Sequence, residues 1–554
     1  MADRLSGSNL GVKQVEAHAE PAKPFPFLRP VPVSCAIAAL AIIHYLWVIF
    51  IPHRDLVCFV ADDAFYELQI ARHFLSTGKW SFDGGYSTTT GFHLLNVYAM
   101  SLIPGLLVHP WLAIKFWMAV GLMLSILSVF IITNFAYEKF GAFALIPTFL
   151  VLTAPYFTLE STGVMEYPYV ILIAALYVST VFLWRGEHRS MLAGIFFLGV
   201  IGSIARSDFG GLPFAIALTC SIAYLMKRYS AYLLKSLCGL AGAAVGVALD
   251  FLHNFLFSGH FLSDSAMTKA LWGKRVGYSP GRPIILVVTT LTSSSWTLVL
   301  ILLCFVLVIA VRFFKLAVSR NSDYPRLEQK EIGADDRTLL ASCGVFAIIL
   351  YLLVYGADPS LQPWYAANFV IPMVLVLGST GYVLARYRIK PAYVIGAVAL
   401  LFCVNTVNTY QPIWNQQGYM FEMAEYIKDH HLAGRIGGWN VGIVGFFNDG
   451  KVINLDGLIN DQIYPYVLDG TLEQYIERAQ IKYFVDFPIF IEDPANSEIL
   501  GFDGKRLSAR LRLVHQIISV NRDAMLLDYT LFEIRDSSSE RYDATTAAAS
   551  QSHH

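Results

Sequence analysis

Long apolar runs separated by short polar segments dominate the chain. They recur at 31–52, 113–134, 142–158, 167–185, 190–205, 209–226, 236–256, 284–311, 339–356, 368–385 and 391–409. A helix that crosses a bilayer needs roughly 20 apolar residues, so the pattern predicts about eleven transmembrane helices. A further apolar stretch at 92–110 is interrupted by Pro104, Gly105 and Pro110. Such breaks suit either one more span or an interfacial helix. Loop charge decides between them, because Lys and Arg collect on the cytoplasmic side. If 92–110 does not cross, the basic loops fall on one side: Arg185 and Arg189, Lys227 to Lys235, Arg312 to Arg337, and Arg386 to Lys390. If it crosses, that agreement is lost. The expected topology has a cytoplasmic N-terminus and outer loops at 53–112 and 257–283. Everything after 410 then lies on the outer face.

Beyond 410 the periodicity changes. MAEYIKDHH reads as a helix, RIGGWNVGIVGFF and KVINLDG as strands, TLEQYIERAQ as a helix, and IKYFVDF, RLVHQIISV and AMLLDYTLFEI as three further strands. Gly, Asn and Asp punctuate the gaps. The sequence therefore predicts a polytopic α-helical membrane protein, its membrane module at 31–410, with a soluble α/β domain at 411–536. Residues 1–30 are polar and read as a disordered cytoplasmic N-terminus. The run 31–52 is too long for a signal-peptide core and reads as a retained anchor. The Ser/Ala/Thr-rich stretch 537–554 reads as a disordered tail.

Composition agrees with the spans. The chain has 554 residues, 56% hydrophobic and only 15% charged, with a mean hydropathy of +0.53. Soluble domains are nearer half apolar and a quarter charged. A net charge of −1 and the lack of a basic arm argue against nucleic-acid binding. The seven cysteines lie mostly in apolar runs, with no metal-type spacing, and read as small buried hydrophobes.

Polar residues of chemical interest gather on the expected outer face. Asp62 and Asp63 open an amphipathic segment, ADDAFYELQIARHFLSTG. Two acids there suit a helix start; they equally suit a general base or ligands for a divalent cation. Glu166 ends a predicted span, where an acid is a functional-site candidate, although an interfacial position explains it too. Arg206 and Asp208 sit between two apolar runs, as a structural ion pair or, for Arg206, as a phosphate ligand. The stretch HNFLFSGHFLSDSAMTKALWGKR carries His253, His260, Asp264, Lys269, Lys274 and Arg275. Its cations run against the charge bias and could clamp a phosphate; His260 is a candidate metal ligand or a solvated loop histidine. Trp364 and Tyr365 fit an interfacial aromatic belt or a sugar-stacking surface, and His93 is similarly open.

DDAFYELQIARHFLSTGKWSFDGGYSTTTGFHLLN resembles the first outer loop of the bacterial GT-C membrane glycosyltransferases. The Met165-Glu166 pair, the ARSD stretch at 205–208 and the loop reaching Lys269 continue the likeness. NVGIVGFFNDGKVINLDGLIND is similar to the start of the outer α/β domain in one bacterial subgroup. The chain departs from the pattern at Leu94, Ser207 and Phe209. The resemblance, spanning about residues 55–490, implies an enzyme that takes a sugar from a polyprenyl-phosphate donor outside the cytoplasmic membrane. It implies Asp62 as the base or metal-associated acid with Asp63 beside it. Glu166, Arg206, Asp208 and Lys269 become lining residues, with Mg, Mn or Ca as the candidate cation. The implied partners are the lipid-linked donor, a glycan, lipid or protein acceptor, and membrane lipids. Three rivals remain at this point: a transporter or flippase of a lipid-linked glycan, a polymerase, and a non-catalytic assembly subunit. A transporter would carry its charges near the bilayer midplane on broken helices, whereas here they gather at one face.

Overall fold

The computed structural model describes residues 29–535 except 104–107, 185, 187, 227–231, 286–331, 387–395, 397–402, 404–405, 408, 413 and 520–527. The expected termini, 1–30 and 537–554, lie almost entirely outside the described residues, and so do most of the spans at 284–311 and 391–409.

The remaining expected spans are helical. They are α1 (Pro30–Phe50), α4 (Pro110–Phe140), the pair α5 (Leu145–Leu152) and α6 (Pro155–Ser161), α7 (Tyr167–Leu183), α8 (Arg189–Ala205), α9 (Gly211–Leu225), α10 (Leu233–Ser258), α12 (Ile332–Tyr355) and α13 (Ala367–Arg386). Five described helices are long and apolar enough to cross a membrane, or six if the bent pair at 142–161 counts as one. That pair bends by 68° where Pro155 starts a new helix, because proline cannot donate to the preceding turn. Tyr167–Leu183 and Arg189–Ala205 are shorter apolar helices. The chain is a polytopic α-helical membrane protein.

Small residues hold two of these helices together. A Cβ on Gly242 would run into Phe196 O, and one on Gly246 into Val200 O. α8 and α10 therefore pack backbone to backbone. Lipid gives little hydrophobic drive between helices, so close contact supplies the attraction.

Two of the shorter helices lie in the 53–112 segment. α2 (Asp62–Thr77) ends at Gly78, whose φ of +72° closes the helix in the left-handed conformation. α3 (Leu94–Ser101) has eight residues, about 12 Å of rise, too little to cross a core of about 30 Å. The 257–283 segment holds α11 (Asp264–Val276), capped by Ser263, which accepts from Ala266 N.

The C-terminal domain begins with α14 (Gln417–Asp429) and carries a five-stranded sheet in the order β2-β1-β3-β5-β4. The strands are β1 (Arg435–Gly438), β2 (Val452–Asn454), β3 (Ile481–Asp486), β4 (Leu511–Ile517) and β5 (Tyr529–Ile534). β2, β1 and β3 are parallel; β5 and β4 add antiparallel. One expectation needs correcting. RIGGWNVGIVGFF is not one strand: β1 stops at Gly438 and α15 (Gly442–Phe447) follows. Its apolar run is buried on all sides, and periodicity cannot separate a buried strand from a buried helix over so short a stretch.

The domain sits directly on the 53–112 and 257–283 segments. The 88–91 turn presses against the 457–461 segment so closely that a Cβ on Gly91 would overlap Leu458 O. Thr88 Oγ1 donates to Asp461 Oδ2, and Thr268 Oγ1 to Gly457 O at 2.8 Å. Gly91→Ala is expected to destabilise the protein by about 1–3 kcal/mol through backbone overpacking, read as a lower unfolding midpoint in detergent. An unchanged midpoint would mean that the two segments do not bear on each other.

Candidate functional site

A cavity of about 190 Å³ lies where the 53–112 and 257–283 segments meet the C-terminal domain. Asp63, Glu67 and His93 line it from the first loop, Arg206 and Asp208 from the turn after α8, Lys269 from α11, and Trp364 and Tyr365 from the segment before α13. Leu458 and Ile459 of the C-terminal domain close one side.

α2 sets the position of the acids. Its N-cap, Ala61, makes no side-chain cap, so neither Asp62 nor Asp63 caps its own helix. Successive residues lie about 100° apart around a helix, and the two carboxylates diverge accordingly. Asp62 turns to the C-terminal domain, where its oxygens accept Gly442 N at 3.1 Å and Ile443 N at 2.8 Å. It lines no part of the cavity. Burial raises its pKa to about 7, the two amides pull it down, and Asp63 pushes it up. Asp63 faces the cavity and has no hydrogen-bond partner among the described residues. Burial raises its pKa to about 6, against the lowering pull of Lys269 and His93 and with a smaller push from Glu67 and Glu166.

A buried ionic network forms the membrane-side wall. Arg206, 5% exposed, donates from Nη1 to Glu166 Oε1 at 2.5 Å and from Nε to Asp208 Oδ1 at 2.8 Å. Asp208 also accepts Tyr355 Oη at 2.6 Å and Asn368 Nδ2 at 2.9 Å. His93 Nδ1 lies 2.8 Å from Glu67 Oε1 and 3.3 Å from Glu166 Oε2. Burial opposes charge on His93, but Glu166 and Glu67 together raise its pKa. Glu67 is held further by Asn96 Nδ2 at 2.5 Å. Glu166 and Arg206 are thus mutually neutralised, and Arg206 is a structural ion pair that also faces the cavity.

Tyr365 stands between the two cations. The Arg206 guanidinium carbon is 4.2 Å from its ring centroid and Lys269 Nζ is 5.1 Å away. Lys269 Nζ donates to Tyr365 Oη at 2.6 Å. Burial opposes the Lys269 charge, but Tyr365 and Asp358 raise its pKa overall, so it is an ammonium at any physiological pH. Trp364 is 5% exposed and lines the cavity; neither aromatic is an open belt residue.

Other expected residues lie elsewhere. His260 is exposed on the loop after α10 and is not part of the lining. Arg275 is used on protein, donating to Val467 O, Leu468 O, Glu498 O and Ile499 O at 2.7–3.2 Å. Among the described residues no group of three or more His, Cys, Asp or Glu is arranged to hold a metal ion. The expected cation site of Asp62, Asp63 and His260 does not fit this geometry: Asp62 accepts the Gly442 and Ile443 amides, and His260 is exposed and outside the cavity lining.

Sequence reading missed Glu67, Asn96, Tyr355 and Asn368. Glu67 was visible as an acid one helical turn after Asp63. Asn96, Tyr355 and Asn368 carry no local signal, since their partners are distant in sequence.

A family described as a domain of unknown function (DUF8728) matches residues 408–537. No curated protein matches the sequence. Among solved structures the chain is similar to ArnT from Cupriavidus metallidurans bound to undecaprenyl phosphate, at 11% identity over 91% of this chain and 98% of that one, with a TM-score of 0.53. The apo state of the same protein matches at 12% identity over 90% and 97%, also at 0.53. At such identity the likeness speaks for fold: the chain has the GT-C membrane fold with an α/β domain at its C-terminal end.

Proposed function

We propose that this chain is a membrane glycosyltransferase, a hexosyl- or pentosyltransferase that moves a sugar from a polyprenyl-phosphate donor to a hydroxyl acceptor on the outer face of the cytoplasmic membrane. The acceptor is a glycan, a lipid or a protein. The observation that carries the reading is the presence, in one cavity, of a carboxylate without a hydrogen-bond partner among the described residues, Asp63, and a fixed ammonium, Lys269. Sugar transfer from a lipid phosphate needs both: a base for the acceptor proton and a cation for the leaving phosphate. The GT-C fold supports it, and the ArnT of that fold is described with undecaprenyl phosphate bound.

In this reading the donor phosphate lies beside Lys269, with Tyr365 holding the ammonium in place. Arg206 contributes its charge while Glu166 and Asp208 fix its orientation. Asp63 takes the acceptor proton as the acceptor oxygen bonds to the anomeric carbon. The bond from that carbon to the phosphate oxygen breaks, polyprenyl phosphate leaves, and the centre inverts. The chemistry expected of Asp62 passes to Asp63, because Asp63 is the carboxylate that faces the cavity. Residues 31–410 form the catalytic membrane module and 411–536 an outer domain, with the N-terminus in the cytoplasm. The charged residues sit at the junction with the outer loops, which favours an enzyme over a transporter with midplane charges.

Purified protein given a polyprenyl phosphate carrying a labelled sugar, together with cell-envelope acceptor material, is expected to release polyprenyl phosphate and label the acceptor. Movement of intact donor across vesicle leaflets without release would overturn the reading.

A further inference from the structure

The C-terminal domain presents a particular edge to the membrane module. β2, β1 and β3 run parallel, and ligands of open α/β sheets bind outside the carboxyl ends of such strands. Here those ends carry Trp439–Val441, Asn454–Asn460 and Asp486. Asp486 accepts Trp439 N at 2.6 Å and Asn440 N at 2.9 Å, which stiffens the turn after β1. What enters the crevice is the side of α2. Tyr66 Oη donates to Trp439 O and accepts Val441 N, both at 2.9 Å. Asn454 Nδ2 reaches the same hydroxyl at 3.3 Å. One turn earlier on that helix, Asp62 takes the Gly442 and Ile443 amides. Position 442 has to be glycine, because a Cβ there would collide with the Asp62 carboxylate and main chain. Nearly two turns beyond Tyr66, Arg72 donates to Phe446 O at 3.2 Å and stacks over the Phe446 ring at 4.4 Å.

We infer that Asp62 is a positioning residue: its carboxylate docks the strand-end crevice of the C-terminal domain onto α2, and this docking sets both the Leu458–Ile459 wall of the cavity and the aim of Asp63. The crevice that would take a small ligand in a free-standing α/β domain takes the catalytic module's own helix instead. The adjacent acids divide the work, one holding the domain and the other facing the cavity. The inference rests on the proposed transfer reaction for its kinetic consequence, but the docking is measured without it.

The test uses the full-length protein in detergent or nanodiscs with two variants, Asp62→Asn and Asp63→Asn. The two amides bind different oxygens of Asp62; an asparagine keeps one of these acceptors and turns the other into an NH2 donor facing an N–H, and bonds to a charged acceptor are among the stronger ones. Hydrogen exchange of a peptide covering 439–447 is expected to speed up about tenfold in Asp62→Asn and to stay as in the parent in Asp63→Asn. In transfer assays Asp62→Asn is expected to raise the acceptor KM and lower kcat moderately. Unchanged exchange in Asp62→Asn would overturn the docking role. Unchanged exchange with a kcat loss as large as that of Asp63→Asn would make Asp62 the base. If Asp63→Asn were fully active while exchange rose in Asp62→Asn, the base assignment would fall and the docking would stand.

Discussion

Asp63→Asn is expected to lower kcat for sugar transfer by about 10²–10⁴-fold, the usual contribution of a positioned general base, with donor affinity little changed. The side chain keeps its shape, so the loss isolates proton transfer. The pH profile gives the second readout. A base works deprotonated, and burial raises the Asp63 carboxyl to about 6. Transfer in the parent protein is therefore expected to fall as pH drops through about 6 and to level off above it, until another group titrates. Lys269 pulls that pKa down. Lys269→Met should then shift the acid limb to higher pH as well as weaken donor binding. An acid limb at the same pH in Asp63→Asn as in the parent would assign it to another group.

Arg206→Ala is expected to give the largest loss of stability, about 3 kcal/mol, since removing one partner of a buried ion pair typically costs 3–5 kcal/mol. Its removal strands two carboxylates at once. Asp208 keeps Tyr355 and Asn368, which places the effect at the lower end of the range. Among the described residues Glu166 keeps only the 3.3 Å contact with His93. The unfolding midpoint in detergent is expected to drop by several degrees. Replacing both partners, Arg206→Met with Glu166→Gln, should recover much of that stability, because uncompensated charge causes the loss. Activity should not recover, as the cavity has then lost a cation. A double variant as unstable as Arg206→Ala would show that packing of the guanidinium against Tyr365, at 4.2 Å, matters more than charge.

The gathering of polar residues was legible because it depends on span lengths and loop charges. Asp63, Glu166, Arg206, Asp208, Lys269, His93, Trp364 and Tyr365 were all singled out from the sequence, and all line one cavity or contact its walls. The division between Asp62 and Asp63 was not legible. Adjacent acids at the start of a helix look alike until a partner approaches one side of it. Here that partner is the amide pair at Gly442 and Ile443, about 380 residues further along the chain. GIVGFF misread as a strand for the same reason: its surroundings, not its period, made it a helix.

By itself the sequence determined that this is a polytopic helical membrane protein with an α/β domain at its C-terminal end, since burial in lipid demands long apolar runs and a change of solvent changes the pattern. It also determined which residue types were available for chemistry. Only the tertiary structure decided which of them are free. Arg206 is committed to carboxylates, Arg275 to carbonyls and Asp62 to amides, while Asp63 is left facing the cavity. A side chain's availability is set by the groups that fold against it, and those come from parts of the chain that no local pattern connects.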